Sequence, residues 1–266
     1  MILGAVCQMR GDAQNIPADR EQIFSRLESK QWRELFFDSC RDDWTQRWTL
    51  DGINASVKNT PEGMIFSSGP KPNDNAHHAV LWTKASFVGD LRIEYDYTRL
   101  DSSKANSVNI VYIQAQGDGS EGFDRDISLW ADKRREPAMK LYYNHMNTYH
   151  ISYATSGVDP SPEAHNYVRA RRYMPDSGRG LDGTDLTPDY MDVNLFDLNV
   201  TYHFTIIKSG SELFFRVQGG GAARLFYFDG TAFPPITEGR IGLRQMASRS
   251  SRYANFTIAA LSASAR

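Results

Sequence analysis

Thirteen short runs rich in Val, Ile, Tyr, Phe and Thr follow one another along most of the chain, and they restrict its fold more than any other feature. Several alternate polar and apolar residues with a period of two, as in LRIEYDYTRL, where Glu94 and Asp96 fall on one face and Ile93 and Tyr95 on the other. Turn signals such as KSGS and GDGSEG separate the runs. The pattern predicts an all-β fold, a two-sheet antiparallel sandwich of the jelly-roll kind.

One short helix is predicted near the N terminus, in PADREQIFSRLESKQW. Pro17 and Asp19 stand where a helix begins, and Ile23, Phe24 and Leu27 follow at helical spacing. From the next residues onward the sequence takes on the character of strands.

The chain is therefore divided into an N-terminal segment with a short helix, residues 1–33, and one β-sandwich domain, residues 34–266. We find no internal repeat and no linker. Two longer loops, residues 157–166 and 175–192, interrupt the tight spacing of the strands. Loops of this length on a sandwich are either walls of a functional site or disordered insertions.

The charge of the chain limits the partners that it attracts. A formal net charge of −2 gives no long-range attraction for nucleic acid or for an anionic membrane, so we expect neither as a partner. No apolar run approaches the length of a membrane span.

The start, MILGAVCQMRGD, lacks a basic leader and is either the remnant of a signal peptide or an ordinary terminus. The sequence therefore leaves a periplasmic or a cytoplasmic location open.

The last third of the chain carries a resemblance to a known fold. YHFTIIKSGSELFFRVQG, LFYFDG and EGRIGLRQMASRSSRYANFTI resemble the closing strands of the concanavalin-A-like (laminin-G-like, galectin-like) sandwich, and LFFDSCRDDWTQRWTLDG resembles its opening. Over roughly residues 34–261 the sequence is most similar to the YesU-like bacterial family of unknown function. Members of that family are often encoded beside genes for the breakdown of acidic plant or algal polysaccharides. The resemblance implies the sandwich fold and a bacterial role in polysaccharide degradation.

Retaining glycosidases of this superfamily carry a strand with the pattern Glu-x-Asp-x-x-Glu, whose two glutamates act as nucleophile and acid/base. The nearest match here is EYDYTR, in which Glu94 and Asp96 fit but Arg99 stands at the place of the second glutamate. One of the two essential carboxylates is thus missing. We expect a solvent-facing Glu94–Asp96 pair beside Arg92 or Arg99.

The acidic loop GDGSEGFDRD suggests a calcium site but does not have the ligand spacing of an EF-hand. Its carboxylates are Asp118, Glu121, Asp124 and Asp126. We interpret it as a turn and expect no cofactor and no metal site, with a structural calcium ion as the alternative. The only two cysteines, Cys7 and Cys40, are too few for an all-cysteine metal site.

The stretch LYYNHMNTYHISY concentrates histidine and tyrosine. Interpreted as a strand, MKLYYNHM places Tyr143 and His145 on one face. In the next strand Tyr149 and Tyr153 share a face, and His150 lies opposite. Whether His145 or His150 faces a groove stays open.

An arginine-rich strand, YVRARRYM, follows and sets Arg169 and Arg171 on one face with Tyr167 and Tyr173. Such a face is too polar for a sandwich core, so it must meet solvent or a concave groove. Neighbouring strands are expected to add Asn, Gln and Arg side chains. The predicted binding residues are Arg169, Arg171, Tyr143, Tyr173, Asn109, Gln114 and Arg244.

A groove of this composition suits an anionic sugar, because Arg grips a carboxylate bidentately and Tyr offers a ring for stacking. It also suits β-elimination from a uronic acid, with His145 and Tyr149 as acid and base and arginines that lower the pKa of the tyrosine. Lyases on this fold resemble the chain in chemistry, pairing Tyr with His and Arg. Their usual motifs, a Gln-Ile-His strand and a Tyr-x-x-x-x-x-Tyr-x-Gln strand, are not present.

Three functions remain open. The first is a lyase or dehydratase that acts on uronate-containing oligosaccharides such as those from ulvan, alginate or pectin. The second is a non-catalytic, lectin-like carbohydrate-binding module that uses the same groove. The third is a glycoside hydrolase that gathers its carboxylates from different strands. The expected partner is an acidic oligosaccharide, and the chain is a monomer or, through a sheet edge, a homodimer.

Overall fold

The computed structural model describes residues 16–102, 107–155, 166–175 and 180–262. These residues form two antiparallel eight-stranded sheets. In spatial order sheet A contains β14 (Ala222–Asp229), β13 (Glu212–Gly219), β12 (Thr201–Ser209), β7 (Leu91–Arg99), β16 (Ser250–Leu261), β4 (Gly63–Ser67) and β3 (Ser56–Thr60), with β1 (Trp32–Asp38) also paired to β16. Sheet B contains β11 (Asp185–Met191), β10 (Tyr167–Tyr173), β9 (Met146–Thr155), β8 (Ser107–Gly117), β15 (Glu238–Gln245), β5 (Ala79–Thr83) and β2 (Trp48–Asp51), with β6 (Phe87–Val88) also paired to β15. The predicted all-β sandwich is confirmed.

The core lies between the two sheets and follows the period-two alternation of the strands. On β7, Ile93, Tyr95 and Tyr97 are fully buried against the other sheet, while Glu94 and Asp96 lie on the outer face of sheet A. Aromatic rings fill much of the space, as where Phe256 meets Tyr95 in a stack with centroids 5.0 Å apart. Each buried ring removes a large apolar area from water, so this core supplies much of the stability of the sandwich.

The predicted N-terminal helix is present as α1 (Ala18–Glu28), and it packs on the outer face of sheet A. Phe24 and Leu27 are buried against apolar side chains of the sheet, and Glu28 forms an ion pair with Arg216 of β13. The helix and the sandwich therefore share a small apolar cluster. Of the described helices, none is long and apolar enough to span a bilayer.

Residues 139–145 form a helix, α2 (Met139–His145), and the prediction of a strand in MKLYYNHM was wrong. The buried side chains explain the difference. Met139, Tyr142, Tyr143 and Met146 recur at intervals of three and four residues and pack into one apolar cluster on sheet B. That spacing is the helical period, which the aromatic composition of the segment obscured.

The second long loop was also predicted over too wide a range, because its residues 185–191 form the edge strand β11. Leu186 and Tyr190 of this strand point into the core. Pro188 is tolerated since an edge strand has one free side. Residues 157–165 and 176–179 of the two long loops lie outside the described ranges, as does Cys7.

A segment that we call the cap, residues 118–145, covers part of the outer face of sheet B. It contains a 3-10 helix, Ile127–Arg134, followed by α2. Where the cap meets the sheet, Tyr142 of α2 stacks nearly parallel with the rings of Trp82 and Tyr112. Gly242 of β15 makes room for this stack, because a Cβ atom there would lie 2.4 Å from Trp82.

One buried carboxylate ties the cap to the sheet. Oδ2 of Asp51, on β2, accepts hydrogen bonds from Arg134 Nε at 2.7 Å, from Tyr142 OH at 2.8 Å and from Trp82 Nε1 at 2.7 Å. Burial raises the pKa of Asp51, and the Arg134 guanidinium opposes that rise. Both helices of the cap thus contact the sheet at a single group, with Arg134 and Asp51 almost fully buried.

We predict that Asp51→Asn destabilises the protein strongly. The change removes the negative charge and leaves the Arg134 guanidinium buried without a carboxylate, which typically costs about 3–5 kcal/mol. Equilibrium denaturation measures the change in the free energy of unfolding. Asp19→Asn is the matched control, because Asp19 pairs with Arg20 at the surface and its loss should cost less than about 1 kcal/mol. Equal effects of the two variants would contradict the anchoring role of Asp51.

Candidate functional site

The outer face of sheet B that the cap leaves open holds a pocket of about 150 Å³. Its polar side is built by β9 and β10. These strands contribute His150, Ser152, Tyr167, Arg169 and Arg171. We call this site the arginine pocket.

Strand alternation and register place these side chains. Arg171 lies opposite His150, and Arg169 opposite Ser152, in the antiparallel pairing of β9 with β10. The intervening residues of β10, such as Ala170, point into the inter-sheet core. The expected outward face of the YVRARRYM strand is thus observed, and it forms one wall of the pocket.

Each of the two arginines is held from the side of the sheet edge. Arg169 Nε lies 3.2 Å from Asp189 Oδ2, and Arg171 Nε lies 2.8 Å from Asp185 Oδ1, both on β11. The Arg169 guanidinium also stacks over the ring of Tyr167 at 4.2 Å. The aspartates are partly exposed, so their pairs with arginine are screened by water and mainly orient the two cations.

His150 is a buried polar group of the pocket, with 4% of its surface exposed. Its Nδ1 lies 2.8 Å from the hydroxyl of Tyr173, while Nε2 has no hydrogen-bond partner among the described residues. Burial, and then the positive charges of Arg171, Arg244 and Arg169, hold the pKa of His150 well below its usual range. The ring is therefore neutral at pH 7, and its Nε2 offers an unmet hydrogen bond.

The tyrosine expected to have a lowered pKa does not occur at this site. Burial raises the pKa of Tyr173 well above its usual value, and the nearby Arg244 and Arg171 only oppose that rise. Tyr173 is therefore protonated at neutral pH. Desolvation of a phenolate outweighs the attraction of the cations at this depth.

The predicted pair His145 and Tyr149 is not brought together. His145 ends α2, where its Nδ1 lies 3.2 Å from Asp118 Oδ2 and its ring stacks on Phe123. Tyr149 is fully buried in the inter-sheet core, on the face of β9 opposite to His150. The expectation that both face one groove was wrong, because α2 is not a strand and because neighbouring residues of β9 alternate between faces.

Two further predicted binding residues have internal partners. Asn109 accepts a hydrogen bond from Tyr97 OH at 3.2 Å within the core. Gln114 lies at an irregularity of β8 with a φ of 54°, and its side-chain amide donates to the carbonyl groups of Phe87 and Gly89. Neither lines the pocket.

Arg244 is on the outer face of sheet B but beneath the cap, and it is fully buried. Its Nη2 donates to the carbonyl of Pro137 at 2.6 Å and lies 3.1 Å from His78 Nδ1. Burial and the charge of Arg244 lower the pKa of His78 to about 4, so His78 accepts as a neutral ring. Because Arg244 is fully buried and does not line the pocket, the expectation that it contacts a ligand directly was wrong. Its positive charge contributes to the lowered pKa of His150.

The predicted binding residues Tyr143 and Tyr173 are not among the residues that line the pocket. Their ring centroids lie 6.4 Å apart, and Tyr173 holds His150. The apolar lining was missed by sequence reasoning. It consists of Val108, Ile110, Met139, Leu181 and Met246. The alternation of β8, in which Val108 and Ile110 flank the inward Asn109, was the signal that could have found two of these residues.

Glu94 and Asp96 lie far from this site in the fold, on the outer face of sheet A. Glu94 pairs with Arg92 Nε at 3.0 Å. His203 of β12 places Nδ1 at 2.9 Å from Asp96 and Nε2 at 3.9 Å from Glu94. The expected Glu94–Asp96 pair beside Arg92 is observed.

Two carboxylates of the acidic loop are hydrogen-bonded within the protein. Asp118 accepts from Ser120, and Asp126 from Ser128 and Arg240. In the described ranges no three or more His, Cys, Asp or Glu side chains are grouped so as to hold a metal ion.

We predict that His203 stabilises the fold in a pH-dependent manner. Hydrogen bonds with Asp96 and then Glu94 raise its pKa from 6.5 to about 9. Because the folded-state pKa is raised, the stabilisation is complete below the unfolded pKa near 6.5 and is lost as pH rises through about 9. The unfolding free energies of the wild type and His203→Gln should differ more at about pH 6 than at about pH 10. A difference that stays constant over this range would refute the prediction.

The sequence matches the family described as "Domain of unknown function (DUF1961)" over residues 37–258. No curated protein matches the chain. The YesU-like name and the gene context of the resemblance noted above stay predictions.

Solved structures share the sandwich. A protein of unknown function with a galectin-like fold from Bacillus subtilis is 18% identical, with a TM-score of 0.61 over 86% of this chain and 98% of that chain. Winged bean acidic lectin in complex with methyl-α-D-galactose is 9% identical, with a TM-score of 0.54 over 88% of this chain and 100% of that chain. A legume lectin-like domain from Entamoeba histolytica is 9% identical, with a TM-score of 0.54 over 82% of this chain and 92% of that chain. At these identities the likeness shows the fold alone.

Proposed function

The chain belongs to the DUF1961 family of domains of unknown function, and we propose that it binds acidic carbohydrates in the arginine pocket. One observation carries the proposal. Arg169 and Arg171 line a pocket together with the neutral, buried His150, whose Nε2 has no partner among the described residues. A buried polar atom without a partner costs free energy unless a ligand or water meets it.

The chemistry of the pocket matches a uronic acid. A carboxylate bridges well to guanidinium groups, which donate two parallel hydrogen bonds. Sugar hydroxyl groups both donate and accept, so they suit His150 Nε2 and the hydroxyl of Ser152. The sandwich of a lectin that binds methyl-α-D-galactose offers a precedent for sugar binding on this fold, which supports the class of ligand by analogy.

We predict that Arg171→Met weakens binding of methyl β-D-glucuronide about ten- to a hundredfold, because a charged hydrogen bond to the carboxylate is lost while the aliphatic stem is kept. Isothermal titration calorimetry measures the dissociation constant. Arg33→Met, an exposed change on β1 of sheet A, is the matched control and should bind as the wild type does.

Methyl β-D-glucoside, which lacks the carboxylate, should bind far more weakly than the glucuronide. Equal affinity for the two sugars, or an unaltered affinity in Arg171→Met, would exclude the arginine pocket as a site for acidic sugars.

A second candidate function, β-elimination, is favoured by the His150–Tyr173 pair. In the tautomer whose Nδ1–H donates to the Tyr173 hydroxyl, neutral His150 presents an unprotonated Nε2 as a base beside two arginines. The base takes the C5 proton of a uronate while the arginines stabilise charge that develops on the carboxylate. The C4–O bond then breaks, a C4–C5 double bond forms, and the proton passes from His150 to the leaving oxygen. The group released from C4 is a sugar in a lyase and water in a dehydratase, and the other product is the unsaturated uronate.

In this mechanism His150 takes both the acid and the base role first expected of His145 and Tyr149, and Tyr173 holds the His150 ring. Glycoside hydrolysis is not proposed, because none of the residues that line the arginine pocket carries a carboxyl group and the Glu94–Asp96 pair lies on the other sheet.

We predict that any rise in ultraviolet absorbance with ulvan, alginate or pectin oligosaccharides is abolished by His150→Asn, which removes the base. Tyr149→Phe and His145→Ala are matched controls, since one residue lies in the core and the other beside Asp118. Loss of the rise in His145→Ala with retention in His150→Asn would refute this assignment. Binding without any rise would leave the protein a lectin-like module.

A further inference from the structure

The arginine pocket has two chemically opposite sides. Arg169 and Arg171 lie on β10, near the edge of sheet B. On the side toward the middle of the sheet, β8 presents Val108 and Ile110, with Ser152 and His150 of β9 between the two sides. The polarity of the lining therefore changes across three neighbouring strands.

The cap and the remaining lining extend the apolar side. Met139, the first residue of α2, and Met246, which follows β15, both line the pocket, and Leu181 adds a further aliphatic side chain. None of these five side chains donates a strong hydrogen bond. The two thioether sulfur atoms already accept hydrogen bonds from residues outside the pocket lining. Tyr112 OH lies 3.9 Å from Met139 Sδ, and Arg244 Nε lies 3.4 Å from Met246 Sδ.

An unsubstituted uronic acid is chemically complementary only to the polar side of this lining. With its carboxylate on the arginines, the opposite edge of the ring turns hydroxyl groups toward aliphatic side chains. Those hydroxyl groups would lose water without gaining a partner, which is unfavourable. A ring whose hydroxyl carries a small aliphatic group would instead bury that group against the apolar side.

Resting on the acidic-sugar binding proposed above, we propose that the arginine pocket selects uronic acids that carry an O-methyl or O-acetyl substituent. The carboxylate lies against Arg169 and Arg171, and the substituent lies against Val108, Ile110 and Met139. Burial of one methyl group strengthens binding about fourfold.

Calorimetric titration of the wild-type protein tests the selection. The probes are the methyl glycosides of glucuronic and galacturonic acid, each unsubstituted and each with a single O-methyl or O-acetyl group at O2, O3 or O4. We expect at least one substituted probe to bind about fourfold or more tightly than its parent. If a parent binds and no substituted probe binds better, the selection is refuted while acidic-sugar binding stands. If no probe binds, both are refuted.

Two variants locate the preference. Val108→Thr exchanges one methyl group for a hydroxyl group at nearly constant volume, and Met139→Gln keeps the length of the side chain. Each should reduce the ratio of parent to substituted dissociation constants toward one. Met191→Gln, an exposed change on β11, is the matched control and should keep the ratio. A ratio that both pocket variants leave unchanged would place the substituent elsewhere and overturn the proposal.

Discussion

The carboxylate of Asp51 is the group on which the shape of the candidate site depends. It receives hydrogen bonds from the sheet through Trp82 and from the cap through Arg134 and Tyr142. Since Tyr142 lies on α2, the same bond fixes the helix whose first residue, Met139, lines the arginine pocket. The cap thereby covers one part of sheet B and limits the open part to a small pocket.

Electrostatic environment gives two histidines of this protein opposite properties. His150 is buried beside arginines, which lowers its pKa and keeps it neutral. His203 lies between Asp96 and Glu94 on the other sheet, which raises its pKa to about 9 and keeps it charged at neutral pH. A neutral ring can accept or donate toward a sugar, whereas the charged ring serves the stability of sheet A. Local surroundings, and not residue type, therefore separate the candidate site from the supporting structure.

Much of the sandwich could be predicted because burial on one face of a strand requires alternation in sequence. The prediction that Arg169 and Arg171 point outward from the sandwich followed from the same rule. The failures also have physical causes. Met139–His145 satisfies a helical period that its tyrosines concealed, and Asn109 and Gln114 are polar residues whose hydrogen bonds are met inside the protein. A polar residue type alone does not tell whether its partner is a ligand, a backbone carbonyl or another side chain.

The sequence by itself determined the fold class, the N-terminal helix and the presence of an arginine-bearing strand, because these depend on local periodicity and on the cost of burying charge. Only the tertiary structure decided which histidine belongs with those arginines. His150 and Arg171 are twenty-one positions apart, and the register of β9 with β10 makes them neighbours. The apolar side of the pocket was likewise decided by tertiary structure, because β8, β15 and the cap meet there only after the sheet has formed and Asp51 has bound the cap.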